Sequence, residues 1–376
     1  MSEPASASTA TANSKEIHKL FRLMGKYAAS DLHLKVGSPP ILRIAGTLRN
    51  LELPPLTQPQ VERLLYEILT EEQINTLEQV GDVDFAHSVD ATTRLRINAF
   101  HQRGHLSVSC RLVNATIPSF DDLHLPAATM ERICDFDQGF VIISGVTGSG
   151  KSTTLAAMIE YINATARCHI VTIEDPIEYI YRDRRAIINQ REVGIDVPSF
   201  HDALRTVVRQ DPDVILLGEM RDVETVQAGL SAAETGHLVF GTLHSATVAQ
   251  SFSRILEFFD ADRQRQVRSS LQFNLKAIIC QKLLPCVKTG IARVPALEIL
   301  IATPPIATCI EQADDARILD IVKTSREEGM VDFNHSLYEL VQDGLVDREV
   351  ALANSPNPQA LAANLQGVFL SESSLR

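Results

Sequence analysis

Gly145-Val146-Thr147-Gly148-Ser149-Gly150-Lys151-Ser152 is the stretch on which the reading of this 376-residue chain turns. It fits G-x-x-x-x-G-K-[ST] at every position, a match that average residue frequencies give by chance in roughly one chain of this length in a hundred. The spacing serves one chemistry. Glycines let a loop wrap with its N–H groups turned inward on a phosphate, and a helix starting at the loop's end adds its positive N-terminal dipole. Lys151 is placed to bridge the β- and γ-phosphates of a nucleoside triphosphate, and the Ser152 hydroxyl to hold Mg²⁺. Gly145 to Ser152, with Thr153 behind them, are the expected nucleotide-binding loop, with ATP and Mg²⁺ as the expected ligands.

The flanks supply the context such a loop requires. Phe140 to Ser144, just before it, is a short apolar run of the kind found in strands buried on both faces, and His169–Ile173, Val214–Leu217 and His237–Thr242 repeat the pattern. Helical periodicity alternates with these runs. Leu155, Met158, Ile159 and Ile162 fall on one face after the loop, and Asp222 to Thr235 carries Val223, Val226 and Leu230 before stopping at Gly236. Strands alternating with helices predict an α/β fold with a parallel, doubly wound sheet. Such a sheet gathers its site at the strand ends, where three further clusters fall. Thr172-Ile-Glu-Asp-Pro-Ile-Glu178 places Glu174, Asp175 and Glu178 around a proline turn, Asp213 to Glu219 is an apolar strand ending in a carboxylate, and Gly236 to His244 ends in histidine. Glu219 is thereby a candidate for the metal or the attacking water, and His244 a candidate phosphate sensor.

Before this region the chain reads differently. Lys15 to Lys26 is helical, then Leu32, Leu34 and Val36 alternate before the turn Gly37-Ser38-Pro39-Pro40 and a return run from Ile41. One helical stretch is expected from Gln58 to Val80, followed by strands at Val83–Ser88, Thr93–His101 and Leu106–Leu112. Antiparallel strands with a few helices make a small α+β unit. The expected organisation is a disordered tail at 1–14, the α+β domain at 15–118, a linker at 119–134, the α/β domain at 135–300, a helical region at 301–363 that includes Asn334 to Gly344, and a frayed tail at 364–376.

Composition narrows the partners. With 47 acidic residues against 35 basic, a formal charge of −12, the average field repels a phosphate backbone, and no basic run concentrates enough charge to reverse that. Nucleic acid is not expected as a partner. The six cysteines lack a C-x-x-C pair or zinc spacing and read as reduced, buried thiols of a cytoplasmic protein. The first residues have neither a basic nor an apolar signal region. No apolar run approaches the roughly 18 residues of a spanning helix, so the chain is not expected to cross a membrane by itself.

The segment Val208-Arg-Gln-Asp-Pro-Asp-Val-Ile-Leu-Leu-Gly-Glu-Met-Arg-Asp222 resembles the signature of the type II/type IV secretion ATPase superfamily, most closely its twitching-motility retraction branch, the PilT/PilU family. Similar stretches run from about Lys15 to Gly344. They include Ser30 to Leu34 with Pro39 to Arg43, Arg94 to Phe100, the Walker A loop, the Asp box TIEDPIE, Walker B, the His box and Gln281-Lys-Leu-Leu-Pro285. The resemblance implies a PAS-like N-terminal domain ahead of a RecA-like P-loop domain, assembled as a homo-hexamer with nucleotide between the two. It implies that Lys151 and Ser152 meet phosphate and Mg²⁺, that Glu219 is the Walker B carboxylate, that Glu178 polarises water or links to the metal, and that His244 is the His-box residue. Arginines of the N-terminal domain reach phosphate in this family, so Arg96 and Arg111 are candidates, with Arg94, Arg209 and Arg221 behind them. The implied partners are an inner-membrane pilus platform protein and a paralogous retraction ATPase, and the implied place is the cytoplasm, peripheral to the inner membrane through the pilus machinery.

Two departures bear on the branch. Assembly and secretion ATPases of the superfamily carry a tetracysteine zinc insertion, for which Pro285 to Pro295 has no room. Retraction enzymes carry Ala-Ile-Arg in a segment where this chain has Thr303-Pro-Pro-Ile-Ala307, while Gly329 to Phe333 and Ser336 to Val341 look closer to PilU. The expected function is an ATP-hydrolysing pilus retraction motor, acting alone or assisting a paralogue. A pilus-assembly or type II secretion ATPase is the first alternative. An ATP-ordered scaffold is another, disfavoured because it has no need of Glu178 or Glu219, and a DNA-translocating relative is disfavoured by charge.

Overall fold

The computed structural model describes residues 15–44, 46–90, 93–113 and 116–368, so the tail expected at 1–14 and most of that expected at 364–376 lie outside the described residues. The last helix, Pro358–Leu365, continues into the stretch expected to fray. The chain divides into two compact units, Met1–Ala115 and Thr116–Arg376.

In the first unit the alternating runs form β1 (Ala29–Lys35), β2 (Ile41–Ile44), β3 (Thr47–Asn50), β4 (Asp82–Asp90), β5 (Thr93–Gln102) and β6 (His105–Leu112). They make an antiparallel sheet in the order β3-β2-β1-β6-β5-β4. Because side chains alternate across a strand, Leu32, Leu34, Leu42, Ile97, Val108 and Cys110 share one face, and they pack with Ile17, Phe21 and Met24 of the helix Glu16–Lys26. The single helical stretch expected from Gln58 to Val80 is two helices, Gln58–Tyr66 and Glu71–Val80. Thr70 divides them. Its hydroxyl accepts from the Gln73 N–H at 3.3 Å, while the Gln73 side chain accepts from the Thr70 N–H at 2.9 Å, a capping box that starts a new helix.

The second unit is built on β7 (Gly139–Ser144), β8 (His169–Glu174), β9 (Ile187–Glu192), β10 (Val214–Leu217), β11 (Leu238–Leu243), β12 (Leu275–Pro285) and β13 (Arg293–Ile301). Their order is β13-β12-β7-β11-β10-β8-β9. Every neighbouring pair is parallel except the edge pair β12 and β13, so the sheet is α/β as expected but mixed rather than wholly parallel. β7, β10 and β11 are buried along their whole length. The helices Lys151–Thr165 and Val223–Glu234 follow the pattern read from their apolar stripes, and Asp222 caps the second by accepting from the Thr225 N–H at 2.8 Å.

Three expectations change here. Residues 119–134 are not a free linker, because Phe120, Leu125, Met130 and Ile133 are buried in the second core, the last two on the helix Ala127–Cys134. Residues 301–363 are helical as expected but are not a separate region, since Ile306, Ile310, Phe333 and Leu337 belong to that same core. Finally, Cys168 and Cys286 are only half-buried, whereas Cys110, Cys134, Cys280 and Cys309 are buried.

Candidate functional site

Four adjacent strands, β7, β11, β10 and β8, run parallel, so their C-terminal ends open on the same edge of the sheet. β7 leads into the glycine loop, β11 into His244, β10 into Gly218-Glu219 and β8 into the acidic turn. The topology thus gathers all four motifs that the sequence separates.

The loop is held open by backbone geometry. Gly145, Gly148 and Gly150 have φ of 152°, 79° and 91°, values that side chains disfavour, and Gly150 stands at the N-terminus of the helix Lys151–Thr165. A Cβ on Gly150 would lie 2.7 Å from Gln281 Nε2, and one on Gly145 would meet Ser149 Oγ and the Gln281 carbonyl. Gln281 is the brace. Its amide donates to the Ser149 carbonyl at 2.7 Å and accepts from the Thr154 hydroxyl at 2.8 Å, fastening the loop to β12. Thr153, in turn, shares a 2.9 Å hydroxyl contact with Tyr179 beyond the acidic turn.

Lys151 is buried, with its ammonium donating to the Gly145 carbonyl at 2.7 Å and the Val146 carbonyl at 3.3 Å. Burial pulls its pKa down, and the charges of Glu219 and Glu178 work in the opposite sense. Glu219 receives two contacts, 2.6 Å from Arg221 Nη2 and 3.0 Å from His244 Nε2. The hydrogen bond from Arg221 outweighs burial and holds the Glu219 carboxyl below its ordinary value, so it stays an anion. Arg221, one of the reserve phosphate arginines, is therefore the partner of Glu219. Gly218 lets the two strand ends approach, with its N–H donating to the Ile173 carbonyl at 2.8 Å. A Cβ there would stand 3.1 Å from that oxygen.

The three carboxylates of the acidic turn separate by environment. Asp175 and Glu178 are exposed, on either side of a cis Asp175-Pro176 bond. Glu174 is buried, accepting from the Thr172 hydroxyl at 2.6 Å and the Gln190 amide at 3.1 Å, and burial raises its pKa to about 7. Glu174 is thus part of the turn's buried support, while the charge of Glu178 acts on Lys151 and that of Asp175 on Arg221.

The remaining candidates lie elsewhere. Arg96 and Arg111 are directly opposite each other on β5 and β6 of the first unit, and Arg111 is opposite Asp31 on β1, which is itself opposite Arg43 on β2. Arg111 Nε reaches Asp31 at 2.9 Å and Arg43 Nε reaches it at 3.4 Å, while Arg96 lies 4.0 Å from Asp84. Burial acts to raise the Asp31 carboxyl, but hydrogen bonds from Arg111 and Ser30 prevail and hold it low. Arg94 is half-buried on β5 and Arg209 is exposed after the helix Phe200–Val207. The residues that sequence reasoning missed as site components are Gln281, Tyr179 and the Arg221–Glu219 pairing. Gln281 lies in the segment Gln281-Lys-Leu-Leu-Pro285, whose residue types assign it no role, and the single-residue spacing from Glu219 to Arg221 is the sequence signal for the last.

The profile of the family described as Type II/IV secretion system protein matches residues 8–345. The type IV pilus retraction ATPase PilT of Pseudomonas aeruginosa is 41% identical over 344 residues, which cover 92% of this chain and 99% of that protein. The type IV pilus ATPase PilU of the same organism is 38% identical, with 92% and 90% covered. Among solved structures, the pilus retraction motor PilT with bound ADP superposes with a TM-score of 0.85 at 43% identity, over 93% of this chain and 99% of that one. A match along nearly the whole of each chain, with the P-loop, both acidic motifs and the His box in place, means that this chain belongs to the Type II/IV secretion system protein family.

Proposed function

We propose that this protein is a hexameric motor that couples ATP hydrolysis to retraction of a type IV pilus. The observation that carries the reading is the convergence of Lys151, His244, Glu219 and Glu178 at the ends of four neighbouring parallel strands, in a chain 41% identical to a retraction ATPase. The loop suits a triphosphate. Ser149 Oγ is buried without a hydrogen-bond partner among the described residues, and Lys151 is buried against neutral carbonyl oxygens that anionic phosphate oxygens replace to advantage. A cavity of about 380 Å³ beside the loop, lined by Gly150, Thr153, Leu123, Leu283, Ile291 and Arg293, has room and apolar surface for a nucleoside.

Among the described residues no group of three or more His, Cys, Asp or Glu side chains forms a metal site in advance. That suits Mg²⁺, which is held mainly by phosphate oxygens and waters with one or two protein ligands. Ser152 would hold it, with Glu219 and Glu178 as the nearby carboxylates, and when bound it neutralises charge developing on the phosphate oxygens. Phosphoryl transfer asks the protein chiefly for position and charge. Lys151 holds the phosphate end. Glu219, kept anionic by Arg221, is held in place by its contact with His244, and exposed Glu178 faces the site where water approaches. Arg96 and Arg111 are proposed as further phosphate-contacting residues, and the assembled ring is proposed as the active form.

Retraction is favoured over assembly by the β12–β13 hairpin. Its strands are in register as far as Pro285 opposite Arg293, and residues 286–292 close it without a metal-binding insertion. The proposed partner is an inner-membrane platform protein, reached from the cytoplasmic side; no helix among the described residues is long and apolar enough to cross a membrane. Ala307, where retraction enzymes carry arginine, favours a second reading, assistance to a paralogous motor. In a piliated cell lacking this gene, pili should fail to retract under load, with retraction restored by the wild type and not by Glu219→Gln. Restoration that depends on a second retraction ATPase selects the assisting role, and undiminished retraction without the gene contradicts both.

A further inference from the structure

A chain of buried hydroxyls joins the nucleotide loop to the histidine turn. Ser144 is the last residue of β7, immediately before Gly145, and is fully buried. Ser245 immediately follows His244 and is also buried. The Ser245 N–H donates to Ser144 Oγ at 3.0 Å, Ser144 Oγ lies 2.8 Å from the Ser245 carbonyl, and the two hydroxyl oxygens are 2.6 Å apart. Beyond them Ser245 Oγ is 2.8 Å from Ser251 Oγ, which donates to the Thr247 carbonyl at 2.9 Å. Each hydroxyl has one proton: with the Ser251 hydroxyl directed at Thr247 and the Ser245 hydroxyl at Ser251, the Ser144 proton is shared among the Ser245 carbonyl, Ser245 Oγ and the Leu243 carbonyl, so every hydroxyl in the chain has a partner.

The placement gives the network a direction. Ser144 lies between Leu243 of β11 and Cys280 of β12 in the sheet register. Its peptide neighbour Gly145 supplies the carbonyl on which Lys151 rests, and the peptide neighbour of Ser245 is His244, which contacts Glu219 at 3.0 Å. The Lys151–Gly145 hydrogen bond, two covalent steps and the hydrogen bonds between Ser144 and Ser245 therefore connect the phosphate-binding lysine to the histidine that orients the acid. Strand ladder bonds end at Ser144 and Leu243, so past that point this hydroxyl pair replaces the ladder in fixing the turn.

We infer that the Ser144 hydroxyl is a positioning group that sets His244, and through it Glu219, against the phosphate-binding loop. The inference rests on the ATPase reading above and assigns no contact with nucleotide to Ser144 itself. Buried polar networks that are fully satisfied fix a unique geometry, and displacing a reacting arrangement by about 1 Å costs turnover more than affinity.

The test compares wild type, Ser144→Ala, Ser144→Thr and Ser245→Ala for steady-state phosphate release, ADP affinity and thermal stability. Ser144→Ala should lower kcat about tenfold or more with ADP affinity within about threefold, because every loop N–H and Lys151 remain in place. Ser144→Thr, which keeps the hydroxyl, should recover most of kcat. Ser245→Ala removes one hydroxyl and keeps both backbone bonds to Ser144, so its loss should be smaller; it also carries the test if Ser144→Ala does not fold. Full turnover in Ser144→Ala, or in Ser245→Ala where the first does not fold, overturns the inference while leaving the ATPase reading intact. So does a variant whose ADP affinity and stability fall together with kcat, which marks a merely structural role. Wild-type protein that releases no phosphate overturns the ATPase reading and the inference with it.

Discussion

Lys151 keeps a charge in a buried position, hydrogen-bonded to two neutral carbonyls and with the charges of Glu219 and Glu178 outweighed by burial, an arrangement that costs stability and makes sense when phosphate arrives. Lys151→Ala should therefore abolish binding of ATP analogues while leaving the melting temperature unchanged or higher; retained affinity by calorimetry would remove the loop assignment. Glu174 makes a second prediction, in pH. Burial raises its carboxyl from an ordinary 4.5 to about 7, so between those values the folded chain keeps a proton that the unfolded chain has lost. Its contribution to stability is full below 4.5 and declines as pH rises through the window, levelling off above about 7. Glu174→Gln should remove that decline, a difference on the order of 2–3 kcal/mol between wild type and variant on going from acid to neutral pH. Urea unfolding at the two ends of the window reads it, and parallel slopes for the two proteins would contradict it. At this scale the sequence was most legible where a motif dictates residue type, as with Lys151 and Glu219. It was mute where the role depends on a partner distant in the chain, as with Gln281 against Ser149.

Periodicity identified β7, β8, β10, β11 and the helices Lys151–Thr165 and Val223–Glu234, but not β9 or the helix Phe200–Val207. It missed β12 and β13, whose apolar runs, such as Ala277-Ile-Ile-Cys280, do not by periodicity separate strand from buried helix. It also joined two helices across Thr70, because apolar spacing continues on both sides and only the Thr70–Gln73 capping box marks the break. Thr70→Ala should cost about 1 kcal/mol in the stability of the first unit, measured by denaturant unfolding; no change would show that the cap is incidental. β12 matters beyond its edge position because it carries Gln281. Gln281→Ala leaves the Ser149 carbonyl and the Thr154 hydroxyl buried without partners, at a cost of about 1–3 kcal/mol. Loss of ATP affinity should accompany that cost, since the loop is then free to leave the conformation that its glycines permit. A variant that loses stability and binds nucleotide as before would make Gln281 structural only.

For the whole molecule, residues 119–134 pack into the second core without a sequence signal, because Phe120, Leu125, Met130 and Ile133 are spaced too irregularly to announce their burial. The proposed ring predicts a species of six times the chain mass by light scattering, and a fully active monomer in the presence of ATP would contradict it. The central claim is that the convergent acids serve turnover rather than folding or binding, and phosphate release by purified Glu219→Gln tests it most directly. The account predicts near-normal ATP affinity, an unchanged assembly and a loss of roughly 10²–10⁴-fold in rate, as expected for a misplaced acid–base group. Wild-type hydrolysis that survives in Glu219→Gln undiminished, or a wild type that hydrolyses nothing with its pilus machinery present, would contradict it.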